Sequence, residues 1–382
     1  MTQQMEGAGM TQDWVIEGGR ALMPGGFETA DIAISDGRIT DAARNARRFS
    51  GAGCLVLPGI VDMHGDGFER ILHPRPNVSF PLPLALAEAD RQLIVNGITT
   101  AFHGLSVSWE PGLRSVGAAR SFLTELDALS GRLDCDTHVN LRWETYCLDD
   151  LDEIESWLTR HPSLLLSVND HLTAEKGLGA DSVKIGRMAD RSGLSREACV
   201  GLIHRLLERS DEVPGAIRRM TGAARQAGRM VFAHDETSPE QRRDNRDLGI
   251  SVSEFPMTLA TASEASAAGE AVVLGAPNVV RGGSQNNAVN AEDAIAAGLC
   301  SALASDYYYP APMAAAFALA DRGTLPLDQA WRLISTRPAR AAGLADRGEI
   351  APGQRADLIV LDPDRRYIRA VFSAGRKVLE RE

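Results

Sequence analysis

The stretch LPGIVDMHGD, residues 57–66, joins an apolar run to a histidine and an aspartate two positions apart, and its reading decides the fold. It ends the first of eight strand-like runs: 55–63, 97–104, 136–143, 163–168, 229–233, 250–255, 271–276 and 299–305. Helical stretches separate them, among them 84–96, 114–129, 151–158, 195–209, 214–227 and 291–297. Strands that alternate with helices eight times predict an α/β chain folded as a (β/α)8 TIM-like barrel over residues 58–346. An open doubly wound sheet would be expected to carry a Gly-rich phosphate turn after its first strand, and the sequence has none there.

Outward from the barrel the texture changes. Residues 13–57 and 347–382 alternate β-prone stretches with Gly-Gly and Asp-Gly turns, which predicts a small β-sandwich domain built from both termini. Residues 1–12 read as a flexible tail. The longest connection, from His171 to about Arg229, reads as a surface excursion above the barrel, with a substrate lid as the alternative.

In such a barrel the chemistry belongs at the C-terminal ends of the strands. Those ends carry His64 and Asp66, Trp143-Glu144, Asn169-Asp170-His171, His234-Asp235, Glu254 and Asp306. Alternation along a strand puts His64 and Asp66 on one face, within reach of one ion. A lone histidine or aspartate at a strand end is ordinarily structural. Recurrence at five or more ends around one axis points instead to a metal centre, with imidazole and carboxylate ligands suited to Zn²⁺, Fe²⁺ or Mn²⁺. Such an ion makes hydroxide available at neutral pH, and Asp306 on the opposite wall is placed to orient the water and take its proton. Strand counting leaves Glu144, Asp170 and Glu254 as alternatives for a further carboxylate ligand. After the seventh strand, GAPNVVRGGS (275–284) offers Asn278, Arg281, Gly282, Gly283 and Ser284, the parts of an anion-binding turn. A second basic loop holds Arg70 and Arg75, and the Tyr307-Tyr308-Tyr309 run follows Asp306 as a pocket lining.

Composition narrows the class. At 382 residues, 44% hydrophobic and 24% charged, the chain has ample core. A net charge of −11, from 40 basic and 51 acidic residues, argues against a general nucleic-acid binder while leaving room for a local basic pocket. Five scattered cysteines without a CxxC pair suit a reducing compartment, and a polar start without a signal-peptide layout makes the cytoplasm the expected location. No apolar run approaches the ~20 residues of a bilayer span. A homodimer is the base-rate expectation for assembly.

LPGIVDMHGD, His234, Ala304-Ser305-Asp306 and the ending STRPARAAGL…RGEIAPGQRADLIVLD together resemble the amidohydrolase superfamily. More closely, PRP (74–76), NGITT (96–100), EFPMTLATASEA (254–265), GAPNVVRGGS (275–284) and SDYYYP (305–310) resemble the PhnM family, the α-D-ribose 1-methylphosphonate 5-triphosphate diphosphatases of phosphonate catabolism. The resemblance implies hydrolysis of a phosphorylated-sugar 5-triphosphate to the 5-phosphate and pyrophosphate, with one or two divalent ions. It implies His64, Asp66, Glu144, His171, His234 and Asp306 as metal ligands, with Asp306 also catalytic. It further implies Arg75, Asn278, Arg281, Gly282, Gly283 and Ser284 as substrate contacts. The chain departs from the pattern at HGDGFER (64–70) and at DETSPEQRRDN (235–245). An amide or amidine hydrolase, or a deaminase, on the same scaffold is the alternative.

Overall fold

A computed structural model of the protein describes residues 12–75, 78–173, 177–283 and 289–382. The expected tail at 1–12 and Ser284 therefore fall outside the described residues, apart from residue 12.

Eight parallel strands form the barrel sheet in sequential order. The first four are β6 (Ile60–Gly65), β7 (Ile98–Val107), β8 (Asp136–Glu144) and β9 (Leu164–Asn169). The others are β10 (Val231–His234), β11 (Val252–Glu254), β12 (Ala271–Gly275) and β13 (Ala302–Ala304). All eight overlap the runs expected from sequence. The barrel closes at its functional end, where Asp306 N donates to His64 O and Asp66 N donates to Asp306 O, each at 2.9 Å.

Inside lies an apolar floor of Met63, Phe102, Leu165, Phe232, Val252, Val273 and Ala302. Because side chains alternate along a strand, the next inward positions of β9, β10 and β11, two residues on, carry Ser167, His234 and Glu254. A polar layer thus sits directly on the floor. On β6 the register shifts between Asp62 and Gly65, so His64 and Met63 both join the interior instead of strictly alternating.

Strands from both ends of the chain form a second, mixed sheet: β1 (Trp14–Met23), β2 (Gly26–Ser35), β3 (Arg38–Thr40), β4 (Arg47–Ser50), β5 (Leu55–Pro58), β14 (Leu358–Asp362), β15 (Tyr367–Ser373) and β16 (Arg376–Glu380). Its strand order is β16-β15-β14-β5-β1-β2-β3, with β4 on β1. Three strand spacings separate β15 from β1, about 14 Å in a flat sheet. Yet the Phe372 and Trp14 rings lie 5.6 Å apart. The sheet therefore folds over on itself and encloses a core of its own, including Ile16, Ile34, Val56, Leu358 and Phe372.

Two readings need correction. The run 55–63 is not one strand: it divides at Pro58-Gly59, with β5 in the terminal sheet and β6 in the barrel. The division needs a glycine, since a β-carbon on Gly59 would lie 2.1 Å from Thr99 Oγ1. The excursion 171–229 is also only partly one. Its last helix, Val213–Gln226, buries Val213, Ala216, Met220 and Ala224 in the core that covers the barrel and is the crossover between β9 and β10.

Candidate metal centre

Three clusters of ligand-type side chains share the C-terminal mouth of the barrel. His64, Asp66 and Asp306 bring one ligand atom each within 4.8 Å of one another, as do His64, His234 and Glu254, and His171, His234 and Asp235. The backbone is strained here. Asp235 and Phe255, each directly after a barrel strand, and Asp306, two residues past the end of β13, adopt left-handed φ values of 56°, 55° and 55°. Non-glycine residues hold that conformation at a cost of about 1–3 kcal/mol each, and such strain gathers at functional sites.

His64 is buried, and its Nδ1 donates to Glu254 Oε1 at 2.9 Å. That bond fixes the tautomer and leaves Nε2 as the ligating nitrogen. Nε2 faces Gly104, where a β-carbon would stand 3.0 Å away, so the bare glycine keeps space beside it. Glu254 also accepts from Asn140 Nδ2 and from Ser167 Oγ, both at 2.8 Å. With both oxygens occupied, it serves as the residue that orients His64. Burial works to raise its carboxyl, but the His64 ring holds it down at about 2.

Asp306 stands differently. Burial and the neighbouring Asp66 carboxylate push it up to about 6, the range of a general base at neutral pH. A β-carbon on Gly275 would lie 3.6 Å from an Asp306 carboxylate oxygen and 3.8 Å from Asn278 Nδ2, so Asn278 shares this corner.

The remaining expected residues are distributed as follows. Glu144 Oε1 lies 2.5 Å from His171 Nδ1, and Glu144 Oε2 accepts from the His171 backbone N–H. This pair, with Asp235 behind it, raises His171 to about 9. Glu144 belongs to none of the three clusters. Asp170 turns away to cap Thr173. Among the three alternatives, Glu144 therefore holds His171, Glu254 holds His64, and Asp170 holds a turn. GAPNVVRGGS is not an open turn: Ala276–Arg281 is helical, ended by Gly282 in the left-handed conformation, with Gly283 N donating to Asn278 O. At its end Arg281 Nη1 donates to Tyr307 Oη at 3.3 Å, and the Arg70 guanidinium lies 5.5 Å from the centre of the same ring. Two guanidinium groups thus flank the residue after Asp306. Arg75 is exposed on the loop after the helix Phe68–Leu72 and has no contact with the site among the described residues.

Sequence reasoning passed over Arg142 and noted Asp235 at its strand end without giving it a role. Arg142, two positions before Glu144 and hence on its inward face, lies 3.7 Å from Asp66 Oδ2. Its Nη2 donates to His234 Nε2 at 3.2 Å. Alternation counted back from Glu144 would have found it. Elsewhere, a cavity of about 220 Å³ is lined by Phe68, Leu72, Leu82, Leu105, Leu113 and Phe122 together with Glu69, His73, Ser106 and Ser121, none of them a member of the three clusters.

The donor set fits a divalent ion at His64, Asp66 and Asp306, a set of one imidazole and two carboxylates in a largely buried pocket.

A sequence model of the amidohydrolase family matches residues 207–374. The α-D-ribose 1-methylphosphonate 5-triphosphate diphosphatase of Escherichia coli (strain K12) is 27% identical over 380 residues, 92% of this chain and 96% of that protein. The adenine deaminase of Brucella suis biovar 1 (strain 1330) is 25% identical over 387 residues, 98% of this chain but 58% of that protein. Among solved structures, the β-aspartyl dipeptidase of Fervidobacterium islandicum AW-1 shares the fold with a TM-score of 0.65 at 16% identity, covering 97% of each chain. A D-hydantoinase does so with a TM-score of 0.64 at 15% identity, covering 97% of this chain and 95% of that one.

Proposed function

We infer that this chain, a hydrolase of the amidohydrolase superfamily, cleaves a phosphoanhydride in a small phosphorylated sugar, and that its substrate is α-D-ribose 1-methylphosphonate 5-triphosphate. The observation that carries the reading is the placement of Arg70 and Arg281 around Tyr307, next to Asp306 and the His64–Asp66–Asp306 cluster. A departing polyphosphate needs cationic groups at a fixed distance from the attacked phosphorus, and guanidinium donors match phosphate oxygens in geometry and charge.

His64, Asp66 and Asp306 would hold a divalent ion (zinc, manganese or iron), which would supply Lewis acidity and lower the pKa of water. The chain's own residues do the rest. Glu254 holds His64 in the ligating tautomer. Asp306, within the cluster of His64 and Asp66, takes the proton of the attacking water. Arg281 and Arg70 bind the pyrophosphate as it leaves, and Asn278 stands beside Asp306 to orient the phosphoryl oxygen. The relative from Escherichia coli, whose length this chain nearly matches, supports this substrate.

A second reading has its own support. Adenine deaminases are among the relatives, one of them 25% identical over 98% of this chain. The test is release of pyrophosphate from α-D-ribose 1-methylphosphonate 5-triphosphate by metal-loaded protein, run beside a chelated control and an adenine deamination assay. Rapid metal-dependent release is expected. Deamination without release would transfer the assignment to the second reading.

A further inference from the structure

We propose that Asp62 is a positioning residue for the metal cluster: by holding Ser305 across the seam where the barrel closes, it sets the carboxylate of Asp306. The proposal rests on the reading of His64, Asp66 and Asp306 as metal ligands.

The closing seam is built unlike the rest of the barrel. Every other neighbouring pair of barrel strands shares a ladder. Among the described residues, β6 and β13 share only the bridge of Gly65 with Asp306. Farther from the site, Val61 N donates to Ile334 O at 2.9 Å and Leu303 N donates to Leu333 O at 2.8 Å, so residues 333–334 stand between the two strands. Between that wedge and the bridge, one side chain spans the gap. Asp62 Oδ1 accepts from Ser305 N at 2.8 Å, and Asp62 Oδ2 accepts from Ser305 Oγ at 2.5 Å. Oδ1 also faces the His64 backbone N–H, at 3.4 Å.

Asp62 and Ser305 are both buried, and among the described residues no arginine or lysine pairs with the Asp62 carboxyl. A carboxyl placed there is costly unless donors meet it, and the donors that do so belong to Ser305 and His64. Space is kept for the contact: a β-carbon on Gly65 would stand 2.7 Å from Asp62 Oδ2 and 2.9 Å from Ser305 Oγ.

The consequence falls on the next residue. Asp306 holds its left-handed φ of 55°, which a non-glycine residue keeps only where its surroundings over-determine it. Its own N–H and C=O are bonded to the backbone of His64 and Asp66. The residue before it is fixed at N and Oγ by Asp62. Releasing Ser305 lets the strained residue relax, and the Asp306 carboxylate then leaves the point it shares with His64 and Asp66.

The experiment is a Mn²⁺ titration of the full chain, stripped by chelator, with free and bound ion read by electron paramagnetic resonance. Asp62→Asn keeps the volume of the side chain and is expected to raise Kd for Mn²⁺ by about 10–100-fold, the usual effect of losing a partner behind a ligand. The bound-Mn²⁺ line shape is expected to change as well. Ser305→Ala, which removes only the hydroxyl bond, is expected to act in the same direction and carries the test if Asp62→Asn does not fold. Because the two act as one unit, the double variant is expected to bind no more weakly than the weaker single. Asp90→Asn is the control: Asp90 is likewise a buried carboxyl, accepting from Cys135 N at 2.8 Å just before the start of β8, away from the cluster. It is expected to leave Kd and line shape unchanged.

An unchanged Kd in folded Asp62→Asn would overturn the proposal and leave the hydrolase reading standing. Effects that add in the double variant would show that Asp62 does not act through Ser305. An equal loss in Asp90→Asn would reduce the effect to general loosening of the fold. Wild type that binds no Mn²⁺ would overturn the metal reading and this proposal together.

Discussion

Asp306 and Glu254 show how neighbours divide roles between like residues. Both are largely buried carboxyls at the same end of the barrel. Glu254 accepts three hydrogen bonds and faces an imidazole, which holds it near 2. Asp306 faces another carboxylate instead and is held near 6. One is a fixed anion that orients a ligand; the other can exchange a proton at working pH. Asp306→Asn is therefore expected to lose about 10²–10⁴ in kcat even at saturating metal, and to hold its metal more weakly because one of the three ligands is lost. Steady-state kinetics with a metal assay on the same preparation checks this, and an unchanged kcat would remove Asp306 from the mechanism. The residue types at the strand ends were legible in the sequence. Their division of labour was not, because His64 and Glu254 are 190 residues apart in the chain.

At the level of elements, the junction of β5 and β6 carries the change from one sheet to the other. Four residues, Leu55–Pro58, pair with β14, and the next strand begins at Ile60. A continuous apolar run gives no local sign of such a division beyond the Pro-Gly pair, which sequence reading passed through as strand. Gly59 lets β6 approach Thr99 too closely for a side chain. Gly59→Ala is expected to cost about 1–3 kcal/mol, as overpacking does. Denaturant unfolding reads this as a lower midpoint at unchanged slope, and wild-type stability in the variant would show that Thr99 yields without strain. The helix Ala276–Arg281 illustrates a different limit. Its Gly-Gly ending reads as a flexible turn, yet Gly282 serves as the left-handed cap of a helix that sets Arg281 beside Tyr307.

Across the whole molecule, the two sheets are joined by a polar clasp at the end of the barrel opposite the site. Asp136, at the start of β8, pairs with Arg347, with Arg355 at 3.2 Å and with His138 at 3.2 Å. Arg347 Nη1 also donates to Thr100 Oγ1 at 3.0 Å. Burial works to raise the Asp136 carboxyl, but His138, Arg355 and Arg347 hold it well below the usual range. A carboxyl depressed on folding contributes stability that is fully present above its unfolded value of about 3.9 and is lost as pH falls through the folded value. The clasp should therefore be intact at pH 5 and weaken only in stronger acid. Asp136→Asn is expected to cost about 2–4 kcal/mol near neutral pH by leaving Arg347 short of a partner. It should also flatten the acid side of the stability curve, which thermal unfolding across pH measures. Equal acid sensitivity in variant and wild type would show that other groups set that limb.

The eight barrel strands, the second sheet from both termini, and the histidines and carboxylates at the strand ends were all legible along the chain. These are written in apolar period, turn residues and strand-end composition, all of which act over a few neighbouring residues. Tertiary structure alone decided which carboxylate orients which imidazole, where the run at 55–63 divides, and that Arg142 enters the site. Those outcomes depend on the register between strands far apart in the chain, and on space that glycines at 59 and 104 leave open to a partner from another strand.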